Sequence, residues 1–269
     1  MLRKLRQARG AVDKALYARG IFRADRMPLP EFLGIGAQKA GTTWLYQNLQ
    51  RHPGLFLPEP KELHYFDWNY DRPLRTYSRH FLPGAGRVKG EITPNYSTLP
   101  AARIAFLRTI LPRLRLILLL RNPVERAWSQ AVMNLVEKTG RSVHEVPDAE
   151  FLRHFADERS VARGDYLANL DRWRQFFPDE QFFCGFFEAI AERPRELLKE
   201  VFRFLGVSTD VDWERFPVAQ VVFRGACAEL PDRFRRVLVD RYGDDIEQLY
   251  NRFGAAVAGW RVDRRAIRR

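Results

Sequence analysis

The stretch Gly36-Ala37-Gln38-Lys39-Ala40-Gly41-Thr42-Thr43 has the clearest chemical content in the chain. It follows the apolar run Phe32 to Ile35 and precedes a segment in which Trp44, Leu45 and Leu49 recur at helical spacing. That order reads as strand, glycine-bounded loop, helix. Such a loop turns consecutive backbone N–H groups into one concavity with the positive end of a helix dipole behind them, so its natural occupant is an anion. The spacing departs from the ATP-type pattern G-x-x-x-x-G-K-[ST]. Gly36 and Gly41 hold the glycine places, but Thr42 stands where lysine would follow, and the loop's one lysine, Lys39, lies two residues before the second glycine. The phosphate cradle is kept while the lysine of an ATP site is displaced. A second cation reaches the same region by another route. Leu114 to Leu120 is a nearly unbroken aliphatic run, the pattern of a central strand buried on both faces of a parallel sheet. It delivers Arg121 to the carboxyl edge of the sheet, where ligands of open α/β folds sit. Pro123 suits the first turn of the next helix, which puts Ser129 about two turns inside it.

The elements that must hold these groups follow in order. Pro28 and Pro30 hand a leading segment over to the first strand. The helix after the loop runs from about Thr43 to Arg51 and stops at His52-Pro53-Gly54. Val88 to Ile92 reads as a short strand, Ala101 to Leu111 as a helix closed by Pro112, and Asp148 to Glu158 as a further helix. A helix opens near Tyr166 and ends at Pro178, its aromatic residues read as core packing; a buried strand follows over Gln181 to Phe187. Glu188 to Leu205 then reads as one helix that tolerates Pro194 and closes at Gly206. Strands alternating with helices predict an α/β fold with a parallel sheet of four or more strands.

The loop around Lys39 resembles the 5′-phosphosulfate loop of sulfotransferases, which bind 3′-phosphoadenosine 5′-phosphosulfate (PAPS). Arg121-x-Pro123 followed by Arg126-x-x-Ser129 resembles their second nucleotide motif. The resemblance implies a P-loop-like three-layer sandwich, a central parallel β-sheet flanked by helices. It implies that Lys39, Ala40, Gly41, Thr42, Thr43 and Trp44 hold the phosphosulfate, that Arg121 and Ser129 hold the 3′-phosphate, and that Arg224 and Gly225 belong to a late loop closing over the nucleotide. The block Lys61-Glu62-Leu63-His64-Tyr65-Phe66-Asp67 resembles the Lys-Glu-x-His-Phe-Phe region of heparan sulfate and related carbohydrate sulfotransferases. Glu62 is carried over as the base that deprotonates the acceptor. His64 lies two residues on, so in an extended segment both side chains would point the same way, and His64 is expected to orient Glu62 or touch the acceptor. Glu91-Ile92-Thr93-Pro94-Asn95-Tyr96 is similar to a block of the same group that carries a lysine where Ile92 stands. Lys89 is then the candidate to reach the cleft instead, with Thr93, Asn95 and Tyr96 as candidate acceptor contacts. Tyr166 carries a possible substrate role. The implied activity is transfer of a sulfuryl group from PAPS, leaving PAP, to a hydroxyl or amine of an acceptor glycan, glycolipid or small molecule, with no metal.

The whole-chain properties bound these readings. The 269 residues are 46% hydrophobic and 29% charged, as expected of one globular α/β domain. With the resemblance, the expected division is a basic segment at 1–27 and a single sulfotransferase domain at 28–269. The leading segment reads as a basic amphipathic helix able to lie on an anionic membrane surface, to pack on the domain or to stay partly disordered. No apolar run approaches the roughly 18 residues that span a bilayer. Two cysteines, Cys184 and Cys227, form neither a disulfide framework nor a metal-ligand spacing. The cytoplasm of a microbe is the expected location, with contact at the inner membrane face through the leading segment. The net charge of +12 draws polyanions, yet no stretch interleaves basic and aromatic residues as nucleic-acid modules do. Oligomeric state is not legible. Two rival readings remain. A P-loop kinase or other nucleotide phosphotransferase needs a lysine where Thr42 stands. A non-catalytic protein holding an acidic glycan or a membrane needs only the basic surface.

Overall fold

The computed structural model describes residues 2–220 and 229–262, with side chains from residue 7 onward. A first helix, α1 (Leu2–Ala18), precedes β1 (Phe32–Gly36) and α2 (Thr42–Leu49). Then come β2 (Leu55–Phe56), α3 (Leu74–Ser78), β3 (Val88–Ile92), α4 (Ala101–Ile110), β4 (Arg115–Leu120) and α5 (Pro123–Leu135). The rest is α6 (Asp148–Ala156), α7 (Glu158–Ala162), α8 (Tyr166–Arg174), β5 (Phe182–Phe186), α9 (Glu188–Glu192), α10 (Pro194–Leu205) and α11 (Asp232–Phe253).

Five strands form one sheet in the order β2-β3-β1-β4-β5, every neighbouring pair parallel. The expectation for Leu114 to Leu120 holds for a simple reason: β4 lies between β1 and β5, and Leu116 to Leu120 are each at most 2% exposed. A residue type with no polar atoms suits a strand covered on both faces. Helices flank this sheet, giving the P-loop-like architecture. The strand at Phe182 is only partly buried because it is the sheet's edge. β2 escaped the sequence reading because two residues carry no periodicity.

The expected helix from Glu188 to Leu205 is two helices. Pro194 opens α10 at its first turn, and Arg193 before it leaves the helical region at φ −147°, ψ 56°. Pro194 has no N–H to continue α9, and its ring crowds the residue ahead of it.

The leading segment folds onto the domain through α1, which packs against α3 and α4. The Lys14 ammonium is the fastener. Nζ donates to the Arg72 carbonyl at 2.8 Å and to the Tyr65 hydroxyl at 3.2 Å, and it lies over the rings of Tyr65 and Tyr70. Burial pulls this ammonium down to about 8. Asp13 Oδ2 accepts from the Leu74 N–H at 2.8 Å, capping the backbone where α3 begins.

Candidate active site

The phosphate loop is set by backbone conformation. Gly41, the residue before α2, has φ 84°, and an added Cβ there would lie 2.2 Å from Ile190 Cδ1. Only glycine meets both conditions without strain. Because glycine has no side chain, nothing caps α2 from that position, and the first-turn N–H groups of Thr42, Thr43 and Trp44 are left to an outside acceptor. Lys39 also occupies the left-handed region, at φ 69°, a conformation that costs a β-substituted residue about 1–3 kcal/mol. The Trp44 side chain turns inward, 3% exposed, and its Nε1 donates to the Val218 carbonyl at 3.0 Å. Its ring is therefore not available to a ligand, and only its backbone N–H stands at the helix start.

Arg121 leaves β4 and turns back onto the loop. Its Nη1 donates to the Lys39 carbonyl at 3.2 Å and its guanidinium lies 4.5 Å from the Phe187 ring centroid. The Tyr166 hydroxyl, buried, donates to the Arg121 carbonyl at 2.8 Å. Tyr166 thus fixes the arginine's backbone and is itself covered. Burial lowers the proton affinity of both Lys39 and Arg121. Among the described residues neither forms an ion pair with a carboxylate. Two half-buried cations beside an uncapped helix N-terminus make a site for a multiply charged anion. Ser129, in α5, is half-buried two turns after Pro123. Arg224 and Gly225 lie outside the described residues.

The Lys61–Asp67 segment lies in the crossover from β2 to β3, on the other side of β1 from β4. It is not extended: Glu62 has φ 68° and His64 φ 51°. The two side chains meet all the same, because two left-handed residues curl the chain. His64 Nε2 lies 3.3 Å from Glu62 Oε2, and Lys61 Nζ donates to Glu62 Oε1 at 2.6 Å. His64 Nδ1 bonds Asp67 Oδ2 at 2.8 Å, and its ring stacks on Trp68 with centroids 3.5 Å apart. Asp67 Oδ2 also accepts from Asn95 Nδ2 at 2.8 Å, and Asn95 Oδ1 accepts from Arg163 Nη2 at 3.0 Å. Burial alone would push the Glu62 carboxyl up, but the His64 hydrogen bond and Lys61 outweigh it and hold the group at about 2. Burial would likewise lower His64, and Asp67 and Glu62 outweigh it and raise the imidazole to about 9. At neutral pH the pair is a carboxylate against an imidazolium.

A buried carboxylate that the sequence reading passed over supports this curl. Glu91 of β3 is 1% exposed and accepts from the hydroxyls of Tyr77, Tyr96 and Thr93 at 2.7, 2.9 and 2.7 Å. Its Oε2 also accepts from the Leu63 N–H at 3.3 Å, between the two left-handed residues. The Tyr96 hydroxyl accepts from the N–H groups of Tyr65 and Phe66 at 2.8 and 3.3 Å. Thr93 and Tyr96 are 0% exposed, so they brace the segment and do not face an acceptor as expected. The same turn is tied to the loop, since the Thr93 N–H donates to the Gly34 carbonyl and Gly36 packs against the Pro94 carbonyl. Lys89 pairs with Glu31 at 2.9 Å near the start of β3, away from this edge, and Ile92 is core. The ammonium that lies against Glu62 is that of Lys61. Asp67 and Asn95 were visible as polar residues beside the motif, but no spacing rule pairs them across 28 positions.

The geometry and the comparisons agree on the class. The sulfotransferase domain family matches residues 29–220, and the chain belongs to that family. A crystal structure of a sulfotransferase from Alicyclobacillus acidocaldarius superposes with a TM-score of 0.67 at 26% identity, covering 90% of this chain and 99% of that one. Heparan sulfate glucosamine 3-O-sulfotransferase 6 of Mus musculus is 31% identical over 200 residues, 71% of this chain and 56% of that protein. The membrane-associated sulfotransferase kil1 of Dictyostelium discoideum is 41% identical over 108 residues, 38% of this chain and 22% of that protein. The matches thus span between about a fifth and just over half of these two curated relatives. No helix among the described residues is long and apolar enough to cross a membrane.

Proposed function

We propose that this sulfotransferase moves the sulfuryl group of PAPS onto a hydroxyl of a carbohydrate acceptor. The observation that carries the reading is the uncapped N-terminus of α2 with two half-buried cations at its loop, Lys39 within the loop and Arg121 donating to the Lys39 main-chain carbonyl at 3.2 Å. A mouse sulfotransferase of the same fold has been crystallised with PAP, and curated relatives act on heparan sulfate.

In this reading the phosphosulfate lies on the amides of the loop and of Thr42 and Thr43, with Lys39 against the bridging oxygen. Arg121 and Ser129 take the 3′-phosphate. The acceptor oxygen attacks sulfur, its proton passes to Glu62, and the bond from sulfur to the 5′-phosphate oxygen breaks with the electron pair leaving on PAP. A carboxylate held at about 2 is a weak base. The arriving anionic sulfate draws on Lys61 and His64, and its negative charge raises the basicity of Glu62 when a base is needed. A sulfuryl group carries less negative charge than a γ-phosphoryl, so fixed donors suffice where kinases use magnesium.

The test is transfer from labelled PAPS to a panel of glycans, glycolipids and phenols. Lys39→Ala should lower turnover by on the order of 10²-fold. Glu62→Gln should lower it by about 10²–10⁴-fold with PAP affinity unchanged. Arg121→Ala should weaken PAP but not adenosine 5′-phosphosulfate, which lacks the 3′-phosphate. Tighter binding of magnesium ATP than of PAP, or acceptor binding that ignores PAPS and survives Glu62→Gln, would replace this reading with one of the two rivals.

A further inference from the structure

The line of hydrogen bonds that reaches Glu62 does not end at Asp67. It runs on through Asn95 to Arg163, which belongs to none of the motifs and lies 68 residues beyond Asn95 in the chain. Arg163 is half-buried and stands between α7 and α8. Outward from Glu62 the links are 3.3 Å to His64 Nε2, 2.8 Å from His64 Nδ1 to Asp67 Oδ2, 2.8 Å from Asn95 Nδ2 to the same oxygen, and 3.0 Å from Arg163 Nη2 to Asn95 Oδ1.

The chemistry of its two neighbours dictates which way the Asn95 amide faces. A guanidinium only donates and an ionised carboxylate only accepts. An amide, with one end of each kind, fits between them in one orientation. Turned over, it would set its oxygen against the Asp67 carboxylate and its NH2 group against the Arg163 N–H groups. Asp67 depends on that donor. Its side chain is 6% exposed; Oδ2 serves His64 and Asn95, and Oδ1 takes the Trp68 N–H at 2.7 Å. Without the amide, His64 would be the only side-chain partner of this carboxylate among the described residues.

Arg163 is itself held in place from α5 and α8. Arg126 of α5 is 0% exposed; its Nη2 donates to the Ser160 carbonyl at 3.2 Å and its Nη1 to Gln130 Oε1 at 2.7 Å. Asn169 Nδ2 donates to the Ala162 carbonyl at 2.7 Å, and an added Cβ at Gly164 would lie 2.8 Å from the Tyr242 side chain. Two residues further on, the Tyr166 hydroxyl holds the Arg121 carbonyl. The backbone on both sides of Arg163 is thus fixed, and the guanidinium is offered to Asn95 from a rigid support. Arg126, Asp157, Arg159 and Asp67 are the charges that act on it.

We propose that Arg163 is a positioning residue for the base: it fixes the Asn95 amide, the amide fixes Asp67, and Asp67 sets the imidazole that meets Glu62. The role rests on the reading of Glu62 as the base. It gives the segment between α7 and α8 a part in acceptor activation that is exerted through three side chains and not by contact with Glu62.

The experiment reads the His64 midpoint by proton NMR in the full chain, with PAP affinity and transfer from labelled PAPS to the best acceptor of the panel above, in Arg163→Met, Asn95→Ala and the double variant. Methionine keeps much of the arginine's apolar length without its donors. Burial lowers the His64 imidazole, and Asp67, ahead of Glu62, raises it. Arg163→Met should therefore lower the midpoint by about 0.5 or more. Turnover should fall about tenfold, with PAP affinity within about twofold of wild type. Asn95→Ala should do the same, and adding Arg163→Met to it should change turnover by less than about twofold, since both cut one line. An unmoved midpoint in Arg163→Met overturns the proposal. So does a raised one, the direct effect of removing a positive charge, and so do fully additive losses in the double variant. Where Arg163→Met is too unstable to assay, Asn95→Ala decides from the other side of the bond: a lowered midpoint supports the proposal and an unmoved one overturns it. Failure of the broader reading is separate, since Glu62→Gln would then keep full turnover while the His64 shifts stand.

Discussion

At the scale of single residues the site is a set of charges whose partners are conditional. Glu62 is paired with Lys61 and His64, while among the described residues Lys39 and Arg121 form no ion pair with a carboxylate. This arrangement makes a sharp prediction for pH. Proton NMR of the five histidines should find His64 titrating near about 9, well above its ordinary 6.5, and His154 below 6.5 because burial disfavours its charge. The linkage has a definite sign. His64 gains affinity for its proton on folding, so its stabilisation is complete below pH 6.5 and is lost as pH rises through about 9. Glu62 loses proton affinity, so its part is present above 4.5 and is lost on acidification through about 2. In Asp67→Asn the His64 midpoint should fall and the alkaline loss of stability should begin earlier, measured by melting temperature against pH. An unchanged His64 midpoint in that variant would remove Asp67 from the network. The sequence pointed to Lys39, Glu62, His64 and Arg121 through motifs, because each motif is local. Lys61 stood in the motif too, but its bond to Glu62 was not legible, since the curl that sets the pair depends on Glu91, distant in sequence.

At the scale of elements, short pieces with no periodicity place the chemistry. The end of β3 and the turn after it hold four consecutive amides, Leu63 to Phe66, through Glu91, Thr93 and Tyr96. Glu91 should therefore act as a positioning residue. Glu91→Gln puts an amide among three hydroxyl donors, costing about 1–3 kcal/mol of stability. It should also cut turnover by on the order of 10²-fold through misplacement of Glu62, with PAP affinity intact and the His64 midpoint displaced. Lost stability with normal turnover would make Glu91 a core residue only. For α1, Gly10→Val drives a side chain into the Asp71 backbone, so the helix should lift. Amide exchange over residues 7–18 should quicken at least about tenfold while the sheet is unaffected. Most of the fold was legible at this scale: β1, α2, β4 and α5 carry strong patterns and clear boundaries. The split at Pro194 and the two-residue β2 were not, because one is a choice between tolerating and ending a helix, and the other is too brief to leave a pattern. The curl of the Glu62 segment was read as extended because nothing local announces two left-handed residues; the buried carboxylate that sustains them is 28 residues away from Leu63.

At the scale of the whole molecule, the strand order β2-β3-β1-β4-β5 puts the phosphate loop at the centre and divides the remaining work. On one side of β1, the crossover to β3 and the turn beyond it carry Lys61, Glu62, His64, Asp67, Glu91 and Asn95. On the other, β4 and α5 carry Arg121 and Ser129. Between them stand β1 and its loop, with the Arg163–Asn95 bond as a further link. They are in consequence separable inheritances. A graft of residues 55–100 from a relative with a different acceptor should transplant the preference for which hydroxyl is modified and leave the host's hold on the donor as it was. A chimera that kept the host's regiochemistry would mean that the partition seen in the sheet has no counterpart in selectivity.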